Sequence, residues 1–252
     1  MIGIFDSGSG GLSVLKALRK RAPQADVVYF GDIKNAPYGN KSREELGALT
    51  VLGIQKLIDE GATEIVSACN SVSVSIVLPM FEILDIPRVN IIEMVGPTVS
   101  AFKGKEAKVL VLATRATIRS RAYQEGFHMV GVCVDGLALP DLVPLIEGNG
   151  SQEIMAGMIK TALAPHRDGG YSHVLLGCTH FPLVREVFER VTSEIGMHAE
   201  IVDPACAVAD AVVARFDTRG TGRTDLMVSL ASPAFERFAT ECVGSARTVR
   251  VL

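Results

Sequence analysis

Short apolar runs alternate along the chain with longer segments in which apolar positions recur every three or four residues and charges fill the opposite face. The first kind predicts buried strands and the second amphipathic helices, and their alternation is the pattern of βα units feeding a parallel sheet. Strands are expected near 1–5, 26–31, 63–68, 88–92, 107–112, 130–134, 172–177 and 199–202. Segments 12–20, 42–60, 95–102, 118–128, 152–164 and 183–195 read as crossover helices. The tail 229–252 adds another helical stretch and a strand-like end, TVRVL, placed to return to the first part of the fold.

Two of these strands end alike. EIVSACNSVS runs into Cys69 and HVLLGCTHFP into Cys178, each just before a helix. In open α/β sheets that carboxyl edge is where ligands bind, because loops and helix N-termini converge there. The separation suits one cysteine in each of two lobes facing a shared cleft. The polar, glycine-containing stretch 102–106 places the end of the first lobe just before it. The expected division is a first α/β lobe of 1–94 plus 207–252, carrying Cys69, and a second of 95–206, carrying Cys178.

Composition narrows the function classes. With 252 residues, 48% of them apolar and 21% charged, disorder and fibres are excluded, and the length fits one large domain or two compact lobes. A formal net charge of −3 offers no basic footprint for nucleic acid or an anionic membrane, so a small molecule is the expected partner. Five cysteines without a CxxC pair suit neither a disulfide scaffold nor a zinc ribbon. MIGIF enters a strand with no secretory pattern, and no apolar run reaches the ~18 residues of a membrane span. A reduced, cytoplasmic protein is the expectation.

Candidate chemistry sits at the loops. FDSGSGGLSVLK follows the first strand, and Gly8, Gly10 and Gly11 would let backbone amides approach an anion at a helix N-terminus. A turn shaped only for tight strand-to-helix packing is the alternative. Asp32 follows the second strand where a dinucleotide site has its ribose acid, but Ser13 replaces the third fingerprint glycine and Asp6 would oppose a pyrophosphate. A Walker lysine is missing too. Cys69 and Cys178 are either buried apolar residues or reactive thiols; their matched positions favour reactivity, whereas Cys133, Cys206 and Cys242 read as packing. His180 lies two residues past Cys178, where it can support proton transfer or a cysteine nucleophile. Zinc-type ligand spacing is absent, so no metal is expected. NAPYG at 35–39 reads as a turn, the histidines at 128, 166, 173 and 198 as surface or packed, and Glu147 alone as an exposed loop carboxylate.

Taken in order, FDSGSGG (5–11), YFGDIKNAPYG (29–39), ACNSVS (68–73), TRATIRSRAY (114–123), LVPLIE (142–147) and LGCTHFPL (176–183) make the sequence resemble the glutamate racemases of the aspartate/glutamate racemase family. The resemblance implies two α/β lobes with an active site between them and interconversion of L- and D-glutamate without a cofactor. It also implies D-glutamate supply for peptidoglycan and cell shape, a cytoplasmic location, and homodimers in keeping with the family. Cys69 and Cys178 are implied as the acid/base pair, assisted by Asp6 and His180, with Glu147 a further titratable neighbour. Ser7, Pro37, Tyr38, Gly39, Asn70, Ser71, Thr179 and His180, with Asp6 near the ammonium, are implied to hold the substrate. Ser71 and Val72 stand where the family usually has threonine and alanine, so the pocket loses a methyl and gains bulk. An aspartate or other amino-acid racemase, or a non-catalytic amino-acid-binding protein on the same fold, is the alternative.

The chemistry can be argued independently of the family. Inverting an α-carbon requires one group to remove the proton from one face and another to return it to the opposite face. Two thiols, one ionised and one not, can exchange those roles. No lysine lies in a recognisable pyridoxal phosphate context, so polar contacts must stabilise the carbanion-like species.

Overall fold

The computed structural model describes residues 1–75, 90–244 and 249–252. Its strands are β1 (Ile2–Asp6), β2 (Val27–Gly31), β3 (Glu64–Ser67), β4 (Ile91–Ile92), β5 (Lys108–Ala113), β6 (Cys133–Ala138), β7 (His173–Gly177), β8 (Glu200–Val202), β9 (Thr224–Val228) and β10 (Val249–Val251). They form two sheets, ordered β10-β9-β2-β1-β3-β4 and β6-β5-β7-β8, and every recorded pairing is parallel. Flanking them are α1 (Leu12–Arg21), α2 (Arg43–Asp59), α3 (Asn70–Ser73), α4 (Val95–Ser100), α5 (Arg115–Ser120), α6 (Ala122–Met129), α7 (Leu142–Glu147), α8 (Gln152–Leu163), α9 (Arg185–Glu194), α10 (Pro204–Arg215) and α11 (Pro233–Val243). The fold is α/β, with two parallel sheets covered by helices.

Parallel sheets need cover on both faces, and the strand sequences supply it by alternation. Along β1, Ile2 and Ile4 enter a large apolar cluster with Leu12 and Leu15 of α1 and Val208 of α10. Phe5 points the other way, joining Val28 and Phe30 of β2 and Ile54 and Leu57 of α2. On β5, Leu110 and Leu112 enter the large cluster, while Val109 and Val111 pack with Tyr123 and Phe127 of α6. One apolar core therefore runs from the first sheet to the second.

The boundaries follow local chemistry. Ser42 and Glu45 form a reciprocal capping box at the start of α2. The helix expected over 118–128 is broken: Arg121 takes φ 59°, a left-handed conformation that ends α5 and starts α6 in a new direction. The strand expected at 130–134 is Cys133–Ala138 instead. Gly131, at φ 77°, turns the chain first, its N–H bonding the carbonyl of His128 at 3.0 Å. The expected helix 183–195 opens as a 3₁₀ turn, Phe181–Val184, before α9. Of the expected strand 88–92, Ile91–Ile92 is observed, and positions 88 and 89 lie outside the described residues, as does Thr248 of TVRVL. Helix α7, helix α10 and strand β9 were not expected. Helix α10 covers α1, and β9 inserts between β2 and β10. Among the described residues no helix is long and apolar enough to cross a membrane.

Candidate active site

Strand β1 ends at Asp6, and the loop after it must pass close to the second sheet. A Cβ on Gly10 would stand 2.5 Å from Thr179 Oγ1 and 2.6 Å from His180 Nδ1, and one on Gly11 would stand 2.7 Å from Asp6 Cβ. Close approach alone is a sufficient reason for glycine at both positions. Next to this loop, Cys69 follows β3 as the residue capping α3, and Cys178 follows β7.

Both cysteines open onto one cavity of about 280 Å³ between the two carboxyl edges. Its wall also contains Ser7, Pro37, Tyr38, Gly39, Asn70, Ser71, Glu147, Thr179 and His180, so these sequence-predicted positions are brought together. Asp6 is the exception. It is fully buried and lies outside the cavity lining, with Ser7 and Gly8 on the wall instead. The cavity also has positions that sequence reasoning did not single out: Ile33, Ala36, Asn40, Thr114 and an apolar wall of Pro140, Val143 and Pro144. Thr114 sits within TRATIRSRAY, a segment noticed as a motif but not resolved into roles.

The surroundings of the two thiols differ. Cys69 Sγ lies 3.4 Å from Ser7 Oγ. Burial first, and then the nearby Asp6 charge, push the Cys69 thiol up to about 12 against the opposing Ser7 contact. Asp6 accepts from the Gly8 amide at 2.8 Å and from Thr179 Oγ1 at 3.3 Å. Burial raises its carboxyl above the usual range, although His180 and the Gly8 and Gly11 amides pull it back.

Beside Cys178, His180 Nε2 is 2.6 Å from Glu147 Oε1. Burial opposes charge on the imidazole, but hydrogen bonds with Cys178 and Glu147 outweigh it and hold His180 well above the ordinary histidine value. Burial likewise acts upward on Glu147, yet His180 and Ser9 leave its carboxyl below the usual range. Ser9 Oγ donates to the same Oε1. The reading of Glu147 as an exposed loop carboxylate is corrected: it ends α7, its side chain is 29% exposed, and it forms an ion pair with His180.

Further hydrogen bonds set the walls. Tyr38 Oη donates to Asp32 Oδ2 at 2.7 Å, and Asp32 also accepts from Asn35 and from Ser229 at 2.6 Å. Asp32 thus braces the NAPYG turn. Ser71 Oγ meets Thr114 Oγ1 at 2.9 Å, and Tyr123 Oη donates to Asn70 Oδ1 at 2.6 Å. Both contacts join α3, beyond the first sheet, to residues that follow β5 of the second.

A cavity with a thiol on each edge and, among the described residues, no lysine or arginine on its wall suits proton transfer at carbon in a small polar substrate, which is the work of an amino-acid racemase. A family model described as Asp/Glu/Hydantoin racemase matches residues 12–212, and the chain belongs to that family. Within it, the chain is similar to the glutamate racemase of Persephonella marina, with 32% identity across 97% of this chain and 93% of that one. The glutamate racemase of Aquifex aeolicus is 33% identical across 96% and 94%. Among solved structures, that of glutamate racemase from Francisella tularensis in complex with D-glutamate aligns with a TM-score of 0.87 at 27% identity, covering 100% of this chain and 96% of that one.

Proposed function

We propose that the protein interconverts L- and D-glutamate without a cofactor, with Cys69 and Cys178 as the two acid/base residues. The observation that carries this reading is the presence of both thiols, each from the end of a strand in a different sheet, on the wall of one cavity. The glutamate racemases to which the chain is similar supply the substrate.

In the free protein Cys69 starts as a thiol, since burial and Asp6 disfavour its ionised form. Cys178, beside the His180–Glu147 pair, is assigned as the first base. Its thiolate takes the α-proton; the S–H bond forms as the C–H bond breaks, and the electron pair stays on the α-carbon, delocalised into the carboxylate. Cys69 then returns a proton from the opposite side. For the other enantiomer the sequence runs backwards. Asp6 acts on Cys69 from behind the wall, and Ser7, Asn70, Ser71 and Thr179 are donors for the substrate carboxylates. The product would supply peptidoglycan synthesis in the cytoplasm, and the working form would be a homodimer.

The test is circular dichroism of purified protein with L-glutamate and L-aspartate separately, no cofactor added, in H₂O and D₂O. Loss of the L-glutamate signal, with deuterium appearing at the α-carbon of the product, is expected. A silent trace with L-glutamate, or product lacking solvent deuterium, overturns the reading; preferential loss of the L-aspartate signal reassigns the substrate.

A further inference from the structure

The Asn70 amide is held by only one of its ends. Asn70 is 2% exposed and lines the cavity, and its Oδ1 accepts from Tyr123 at 2.6 Å. Its Nδ2 is buried without a partner among the described residues. An unpaired buried amide N–H₂ is costly, so an acceptor is the natural complement there. Tyr123 comes from the other side of the cleft, on α6, in the direction set by the left-handed turn at Arg121. It is fully buried, and its ring stacks on Phe127 at 6.2 Å. Burial first, and then the Glu93 charge, push the Tyr123 hydroxyl well above its ordinary value, so the group remains a donor at every working pH.

We infer that Tyr123 is a positioning residue, fixing the Asn70 side chain so that Nδ2 presents its hydrogens to a substrate carboxylate. This rests on the racemase reading for the identity of the ligand. The orientation itself does not. If the Tyr123 hydroxyl is absent, the amide loses its anchor and can rotate Oδ1 toward the carboxylate, where oxygen meets oxygen.

Tyr123→Phe removes the hydroxyl and keeps the ring. The expected result is a KM for glutamate about tenfold higher with a smaller change in kcat, the size of one charge-assisted hydrogen bond. In an Asn70→Ala background the same substitution should add nothing, because it acts through Asn70. Additive losses in the double variant, or an unchanged KM in Tyr123→Phe, overturn the inference. A readout free of turnover is the ¹⁵N side-chain amide resonance of Asn70, assigned by its loss in Asn70→Ala. It should move in Tyr123→Phe, and an unmoved resonance overturns the inference whatever the substrate proves to be. Absence of wild-type turnover with a resonance that does move would count against the racemase reading alone.

Discussion

Gly10→Ala tests the close approach of the two edges most directly. The new Cβ would lie 2.5 Å from Thr179 Oγ1 and 2.6 Å from His180 Nδ1, where ordinary contact begins at 3.4 Å. Gly10 is not among the residues with positive φ, so the backbone accepts alanine and the strain falls on those side chains. Relieving that contact requires a shift of roughly 0.8 Å at His180, which disturbs the 2.6 Å bond it makes with Glu147. Losing a charge-assisted bond of about 1.5–3 kcal/mol corresponds to a rate loss of roughly 10- to 150-fold, and a displacement near 1 Å at a reacting centre costs about 100-fold by itself. The expected outcome is a fall of about two orders of magnitude in kcat/KM. Overpacking should cost about 1–3 kcal/mol, which a folded domain survives. Steady-state racemisation, thermal melting and the NMR titration of His180 give the three readings. A variant with wild-type kcat/KM and an undisturbed His180 midpoint would refute the argument that this glycine exists for the approach.

Replacing either Cys69 or Cys178 with alanine should abolish racemisation while leaving the circular dichroism of the fold intact; substantial turnover in either variant removes that residue from the mechanism. Because the Cys69 thiol is pushed from 9.0 up to about 12, the unfolded chain binds fewer protons between these values, and stability should fall as pH rises above about 9. The slope belonging to Cys69 is about 1.4 kcal/mol per pH unit, and denaturant melts of Cys69→Ala should lack that share of the alkaline decline. Gly39→Ala puts a Cβ 2.7 Å from Thr114 Cβ and should raise KM by wedging the cleft, read from initial rates. Gly157→Ala is the contrasting case: nothing lies within 4 Å of its Cβ on an exposed turn of α8, so roughly 0.5–1 kcal/mol of added stability is expected with kcat/KM unchanged.

The strand-to-cysteine junctions were legible because they are local: a run of apolar residues stops at a fixed place, and a parallel sheet puts all such places along one edge. Glu147 was not legible from its own surroundings, since its partners Ser9 and His180 are far away in sequence and meet it only through the packing of two sheets. Asp32 was weighed only as the ribose acid of a dinucleotide site that Ser13 and Asp6 argued against, and it is a brace for Tyr38, a role that depends on a hydrogen bond across the NAPYG turn. The break at Arg121 escaped because an arginine carries no signal for a left-handed backbone, whereas Gly131 could have been read as the end of α6. Strand β9 has only a short apolar core, LMV, beside charged residues, and its interior place in the sheet comes from pairing with β2 rather than from its own pattern.

The unequal settings of the two sulfur atoms have a limit imposed by mirror symmetry. In achiral water the enantiomers of an amino acid have the same free energy, so the second-order rate constants for the two hands must match in any variant, however lopsided the pocket. Asp6 on one flank and the His180–Glu147 pair on the other can therefore trade saturation against turnover for each hand. They cannot make this catalyst run one way.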